Sequence, residues 1–296
     1  MKTNSVEMLL QGIPNIEEIK GEPKTLIEAF GFFHARTSLS LCTFVESDKF
    51  VSSLPPNAVV VITKPSILVD APCVIYTDHP RDIFYQMHTA FHTGPPQQST
   101  ISKEALVSSD AIISSYGVVI ESGAVIEAGA VVKSNVRIGK NTVIRSGAII
   151  GGAGFQMHTY ANGETHYIEH RGFVDLGESV EIQQNTCIDK AIFSWEATRI
   201  GAFTKIASQV QIAHGSQIGQ YNLIASGTNF GGRVEVGERN WFGLNAVVSN
   251  GIKIGNNNRI NLGSVVTQNI DNDRSVSGNF AIDHEKFISN LKGQVK

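Results

Sequence analysis

The chain has 296 residues, 42% hydrophobic and 17% charged, with 28 Gly, 9 Pro and 3 Cys. A formal charge of −3 lacks the basic footprint of a nucleic-acid binder, and no apolar run reaches the roughly 18 residues of a spanning helix. The start, Met1-Lys2-Thr3-Asn4, carries no apolar signal region, and Cys42, Cys73 and Cys187 stand too far apart for a metal motif, so the expectation is a soluble cytoplasmic chain with reduced thiols.

Residues 1–100 form a first region, a small α/β domain. Ala58–Thr63 and Cys73–Tyr76 read as strands, Pro80–Thr93 as a helix and Ile16–Phe30 as a second helical segment. The turn-rich Gly94-Pro95-Pro96-Gln97-Gln98-Ser99 closes it.

Residues 101–268 carry a repeat. Steps of six from Ile200 meet Ile206, Ile212, Ile218, Ile224, Phe230, Val236, Phe242, Val248, Ile254, Ile260 and Val266 without a miss. At this composition such a run has a chance probability of about 0.00003 per phase, so the period is real. An earlier run joins Ile120, Ile126, Val132, Ile138, Ile144 and Ile150, and the later phase extends back through Ile188, Ile182 and Leu176. The register therefore slips between Ile150 and Leu176. No helical face has a period of six; short strands with tight turns, three hexads to a coil, do. Glycine often follows the apolar residue, as at Gly139, Gly177, Gly201 and Gly219, where a corner is expected to need its backbone freedom. The pattern predicts a mainly β chain, a left-handed parallel β-helix of about seven coils. Irregular stretches at Gly151–Gly172 and Ala191–Arg199 break it, and loops on a rigid scaffold often carry function. The tail, 269–296, contains Asp283–Leu291 as a short helix.

Of nine histidines, His214 alone lies in the regular coils. Two residues beyond inward Ile212, it falls at a corner and can project outward. A neutral imidazole there could take a proton from an attacking nucleophile near neutral pH. His158, His166 and His170 cluster, but in the irregular stretch, where they read as a polar hairpin; no metal site is expected. Asp189 and Glu181 flank inward residues, which suits hydrogen bonding in corners, with direct catalysis as the alternative. Gly151-Gly152-Ala153-Gly154-Phe155 marks either an amide-rich approach to a ligand or the chain leaving its coil. Trp195 and Trp241 could frame a ligand or cap a surface.

Several of these segments resemble one family. Phe155 in its Gly-Phe loop, Thr186-Cys187-Ile188-Asp189-Lys190 and Gln211-Ile212-Ala213-His214 are similar to motifs of the UDP-3-O-acylglucosamine N-acyltransferases of lipid A synthesis. Leu39 to Phe50 resembles their uridine-binding segment. The resemblance implies a homotrimer with sites in grooves between prisms, and acyl transfer, of a 3-hydroxyacyl chain in that family, from a carrier thioester to the amine of a UDP-linked amino sugar. It implies His214 as general base, Phe44 and Phe50 stacking on uracil, and Ser47, Phe155, Asp189 and Asn250 at substrate-binding positions. Nothing in it implies a tightly bound cofactor; the donor is acyl carrier protein or coenzyme A thioester.

There are departures. Ala207 and Ser208 stand where the family has aspartate and asparagine, Asn250 where it has a second histidine, and Ser277-Gly278-Asn279-Phe280-Ala281 lacks a proline. His214-Gly215-Ser216-Gln217-Ile218-Gly219 with Gly231-Gly232-Arg233-Val234 is also similar to nucleotide-sugar N-acetyltransferases of surface-glycan synthesis, which implies a short-acyl, acyl-CoA-dependent alternative. A paralogue that binds nucleotide sugar without catalysis is the third reading.

Overall fold

A hexad with one apolar residue can satisfy its backbone only against copies of itself, so the strands of successive coils pair in parallel. The computed structural model describes residues 4–95, 97–278 and 284–294. Among these residues the repeats form three parallel sheets of nine, eight and eight short strands. Strand partners are one coil apart, such as Ile206 with Ile224 and Ile212 with Phe230. This is a left-handed parallel β-helix. At about 4.8 Å per coil the nine-stranded face is roughly 38 Å long.

The inward residues make one core from Val118 to Val266. Most are isoleucine or valine, whose β-branches suit a pleated surface; Phe230 and Phe242 meet edge to face among them, 4.9 Å apart.

The corners correct the expectation about glycine. In the regular coils, backbone with positive φ sits three residues before the inward position; Gly151, at φ +82 where the chain leaves its coil, is an exception one residue after it. Glycine fills some of these sites, such as Gly215 and Gly227, but Asn141, Asn185, Phe203, Tyr221, Arg233 and Arg239 fill others. The glycines after the apolar residue, such as Gly139 and Gly201, serve close approach. A Cβ on Gly139 would lie 2.6 Å from the backbone of Gly177, and one on Gly201 2.5 Å from that of Gly219.

A second polar pattern lies two residues before the inward position. Thr186, Thr204, Asn222, Asn240 and Asn258 are buried there and bond coil to coil. The Asn240 backbone N–H donates to Asn222 Oδ1 at 2.8 Å, that of Asn258 to Asn240 Oδ1 at 2.8 Å, and that of Arg274 to Asn258 Oδ1 at 2.8 Å.

The chain divides into two compact units. One comprises residues 1–98, 153–173 and 190–197; the other comprises 99–152, 174–189 and 198–296. Most of both irregular stretches, residues 153–172 and 191–197, thus folds with the first unit. Its sheet has the order β1–β5–β4–β3–β2, formed by β1 (Glu18–Gly21), β2 (Ala29–Phe30), β3 (Leu41–Val45), β4 (Ala58–Thr63) and β5 (Cys73–Tyr76). A short helix α1 (Val6–Leu9) precedes them and α2 (Pro80–Ala90) follows, with proline at its start. The predicted helix over 16–30 is instead β1, a loop and β2. Gly21, at φ +99, and Pro23 interrupt any helix, and β1 gains a full antiparallel ladder on β5. In the tail, α3 runs His284–Gln294; residues 279–283, which include the end of the Ser277–Ala281 segment, lie outside the described residues.

Candidate functional site

His214 is held by its backbone on both sides. Ile212 is buried in the core and Ala213 N–H donates to Phe230 O at 3.1 Å. Gly215 turns the corner at φ +71 and its N–H donates to Thr198 Oγ1 at 2.8 Å. Arg233 N–H donates to His214 O at 2.9 Å. The ring then leans on the next coil. A Cβ on Gly232 would lie 2.6 Å from its Cε1 and 2.7 Å from its Nε2, so Gly232 is the platform on which the imidazole rests.

Asn250, one coil further, fixes that platform: its Oδ1 accepts from Gly232 N–H at 3.2 Å. The coil period of 18 residues stacks His214, Gly232 and Asn250 in one column. Sequence reading singled out His214 and Asn250 but gave Gly232 no role; laying the chain out in rows of 18 would have placed them together.

Asp189 lies one coil below. Cys187 and Ile188 pair with Gln211 and Ile212, which puts Asp189 beneath Ala213. Its Oδ2 accepts from Gln211 Nε2 at 2.8 Å. Burial pushes the carboxyl up to about 6, against the pull of Gln211. Removing a carboxylate from water favours its protonated form. Burial also raises the Cys187 thiol, with the charge of Asp189 adding to it.

Ala207, at the family's aspartate position, offers only backbone: its carbonyl accepts from Thr186 Oγ1 at 2.7 Å. Ser208 Oγ bonds Gln184 Oε1 at 3.2 Å. Glu181 pairs with Arg145 at 2.9 Å, and Arg145 with Glu127 at 2.7 Å, which makes it a strut between coils.

The remaining candidates, apart from Trp241, are in the first unit. Phe155 is 88% exposed. Phe44 on β3 packs on Phe84 at 4.9 Å, with the Arg81 guanidinium 5.3 Å from its ring centre. Phe50 stacks on Phe33 at 4.6 Å, in the short 3-10 helix that Ser47 precedes. Phe44 and Phe50 thus pack on different rings. His158 and His166 face each other across a hairpin, yet their side chains turn to different partners. His158 Nε2 bonds Asp82 Oδ1 at 2.7 Å and His166 Nε2 bonds Glu164 at 3.2 Å. Among the described residues no group of three or more His, Cys, Asp or Glu could hold a metal ion. Trp195 Nε1 donates to Phe30 O at 2.8 Å. Trp241 stays at the surface under Arg259.

Residues 117–152 match the family model for the bacterial transferase hexapeptide (six repeats). Over 81 residues the chain is 44% identical to the UDP-3-O-acylglucosamine N-acyltransferase of Pseudomonas syringae pv. syringae (strain B728a), and over 78 residues 42% identical to that of Wolinella succinogenes. The matches cover 27% and 26% of this chain, and 22% and 24% of those proteins. The chain thus matches less than a quarter of its curated relatives' length. Among solved structures, an LpxA from Acinetobacter baumannii aligns with 69% of this chain and 77% of its own at 20% identity and a TM-score of 0.43. The family match and the named relatives support the resemblance drawn from the motifs.

Proposed function

We propose that this chain is an N-acyltransferase that moves an acyl group from a carrier thioester to the amine of a UDP-linked amino sugar, with His214 as general base. The observation that carries the proposal is the His214 corner: a histidine whose backbone is fixed by three hydrogen bonds and whose ring rests on a glycine platform, within the Gln211–His214 segment that resembles the family. As the amine attacks the thioester carbonyl, its nitrogen becomes positively charged and acidic. His214 takes that proton and returns it to the departing thiolate. A positioned base of this kind contributes about 10²–10⁴-fold.

Phe44, Ser47 and Phe50 belong to this reading as nucleotide-binding residues, and Phe155, Asp189 and Asn250 as substrate-site residues. The donor is acyl carrier protein or coenzyme A bearing the acyl chain, a 3-hydroxyacyl chain by the family resemblance. A homotrimer is also part of the proposal. Its support is an apolar surface at one edge of the β-helix, where Leu244, Val247, Leu262 and Val265 are 54%, 40%, 60% and 54% exposed. By contrast, another face carries ion pairs such as Arg137 with Asp175 and Lys253 with Glu235. No helix among the described residues is long and apolar enough to cross a membrane. The three free cysteines suit a reducing compartment, in keeping with a proposed cytoplasmic location.

The test is thiol release from acyl-carrier-protein and acyl-CoA donors of graded length, offered with UDP- and dTDP-linked amino sugars. His214→Ala should lower turnover by about 10²-fold or more with the oligomer unchanged. Full turnover in that variant would remove His214 as the base. Nucleotide binding without thiol release in the unaltered protein would favour the non-catalytic reading.

A further inference from the structure

An amine and a hydroxyl present an acyltransferase with different proton problems. A hydroxyl enters neutral and gives up one proton. An alkylammonium is still charged at neutral pH and must lose two protons before it becomes an amide. One imidazole that accepts a single proton at the attack step leaves the other unassigned.

The structure holds a second group placed to take it. Asp189 lies in the coil beneath His214, opposite Ala213, on strands about 4.8 Å apart. The residue is only 8% exposed and its carboxylate sits in a cradle. Gln211 Nε2 donates to Oδ2 at 2.8 Å from above. Below, the strand Ile149–Gly152 shifts register so that Gly152 stands opposite Asp189, and a Cβ there would lie 2.9 Å from Oδ1. The hydrogen bond comes from a neutral amide, and among the described residues no lysine or arginine pairs with this carboxylate. Glu127 and Glu181, on the same β-helix, both share Arg145. A buried carboxylate without a cation is costly, whereas a cationic ammonium brought to it supplies the missing partner.

We propose, on the acyltransferase reading above, that Asp189 is a second catalytic base, which receives the acceptor ammonium and takes its first proton. The carboxylate accepts a proton from R–NH3+ to give R–NH2 and the carboxylic acid. The free amine forms the C–N bond at the thioester carbon. His214 removes the proton from the nitrogen of the adduct, the C–S bond breaks, and His214 returns the proton to sulfur. Amide and thiol leave, and Asp189 gives its proton to water. The upward push of burial on its carboxyl makes it a better acceptor than an exposed aspartate. The groups around it keep that role distinct. Cys187 is the titratable side chain on its own strand, Gln211 and Gly152 on the flanking strands are uncharged, His214 stands at the corner above, and Lys190 follows it in the chain.

The test is the pH dependence of kcat/KM in the full-length protein carrying Asp189→Asn, measured with a UDP-linked amino sugar and an acyl thioester. Near pH 6.5 the variant should fall about 100-fold below the unaltered protein, and near pH 9, where the amine is already free, the deficit should shrink to within about tenfold. A deficit constant across pH, or none at all, overturns the proposal. If Asp189→Asn does not fold, Gln211→Met serves instead: loss of the amide should move the acid limb of the profile to higher pH, and an unmoved limb overturns it. An unaltered protein that acylates no amino sugar fails the acyltransferase reading itself, and the second base with it. An active protein with a pH-independent Asp189→Asn deficit fails the second base alone.

Discussion

Gly232→Ala isolates the platform under His214 from the histidine itself. The added methyl would sit 2.6 Å from Cε1 and 2.7 Å from Nε2, whereas non-bonded carbons settle at about 3.5–4.0 Å. The ring must therefore move by about 1 Å, a displacement that can cost about 10²-fold in rate, or about 2.7 kcal/mol in the barrier. Stability should respond far less. Gly232 has no positive φ, and alanine restricts the unfolded chain by about 0.4–1 kcal/mol, which offsets part of the strain. Gly263→Ala is the control with the opposite signature. Nothing lies within 4 Å of a Cβ there, but its φ is +65, so alanine should cost about 1–2 kcal/mol and leave the site alone. The assay pairs kcat/KM with thermal unfolding for both variants. Gly232→Ala with full turnover, or with a loss that merely tracks its melting temperature, would refute the platform argument.

Three further outcomes follow from buried polar groups and the proposed nucleotide contact. Asn240→Ala removes the acceptor for the Asn258 N–H and a donor to Asn222 Oδ1, which lies 3.0 Å from Asn240 Nδ2. At about 1–3 kcal/mol per stranded group, denaturant unfolding should show a loss of several kcal/mol; a change under about 0.5 kcal/mol would refute the ladder's role. His88 is 1% exposed, its ring nitrogens have no hydrogen-bond partner among the described residues, and burial, then the charge of Arg171, pulls its pKa down to about 3. The folded state binds its proton less readily than the unfolded state, so this histidine's contribution falls as pH drops from about 6.5 toward 3, by about 1.4 kcal/mol per pH unit. His88→Phe, between Phe30 and Phe193, should flatten that dependence in urea unfolding across this range, and an unchanged slope would exclude His88 as its source. Phe50→Ala should weaken UDP binding by about tenfold with His214 chemistry unaltered at saturating substrate; unchanged affinity by calorimetry would remove it from the nucleotide site.

The coils were legible because one residue in six had to be apolar and nothing else about their position was free. The corners were less so. Positive φ falls on Asn, Tyr, Phe and Arg as well as on Gly, so composition conceals it, whereas the conspicuous glycines answer to close stacking. In the first unit the apolar runs of β4 and β5 announce themselves. By contrast, β1 is four exposed residues, and only its pairing with β5 makes it a strand. His214 stood out as the lone histidine of the repeat; Gly232 and the cradle of Asp189 did not, because each depends on a neighbour one coil away.

The two interruptions of the β-helix return the chain in phase. Across the first, Thr142 bonds Val180, 38 positions on; across the second, Thr186 bonds Val210, 24 positions on; the regular interval is 18. The added lengths are twenty and six residues, and each closes on itself before the next coil begins. A single inserted residue would turn every later side chain inside out, while a whole detour leaves the later coils unchanged. The scaffold thus behaves like ruled paper with margins: new text can be written at an edge, to any length that comes back to the line, and the lines beneath do not move.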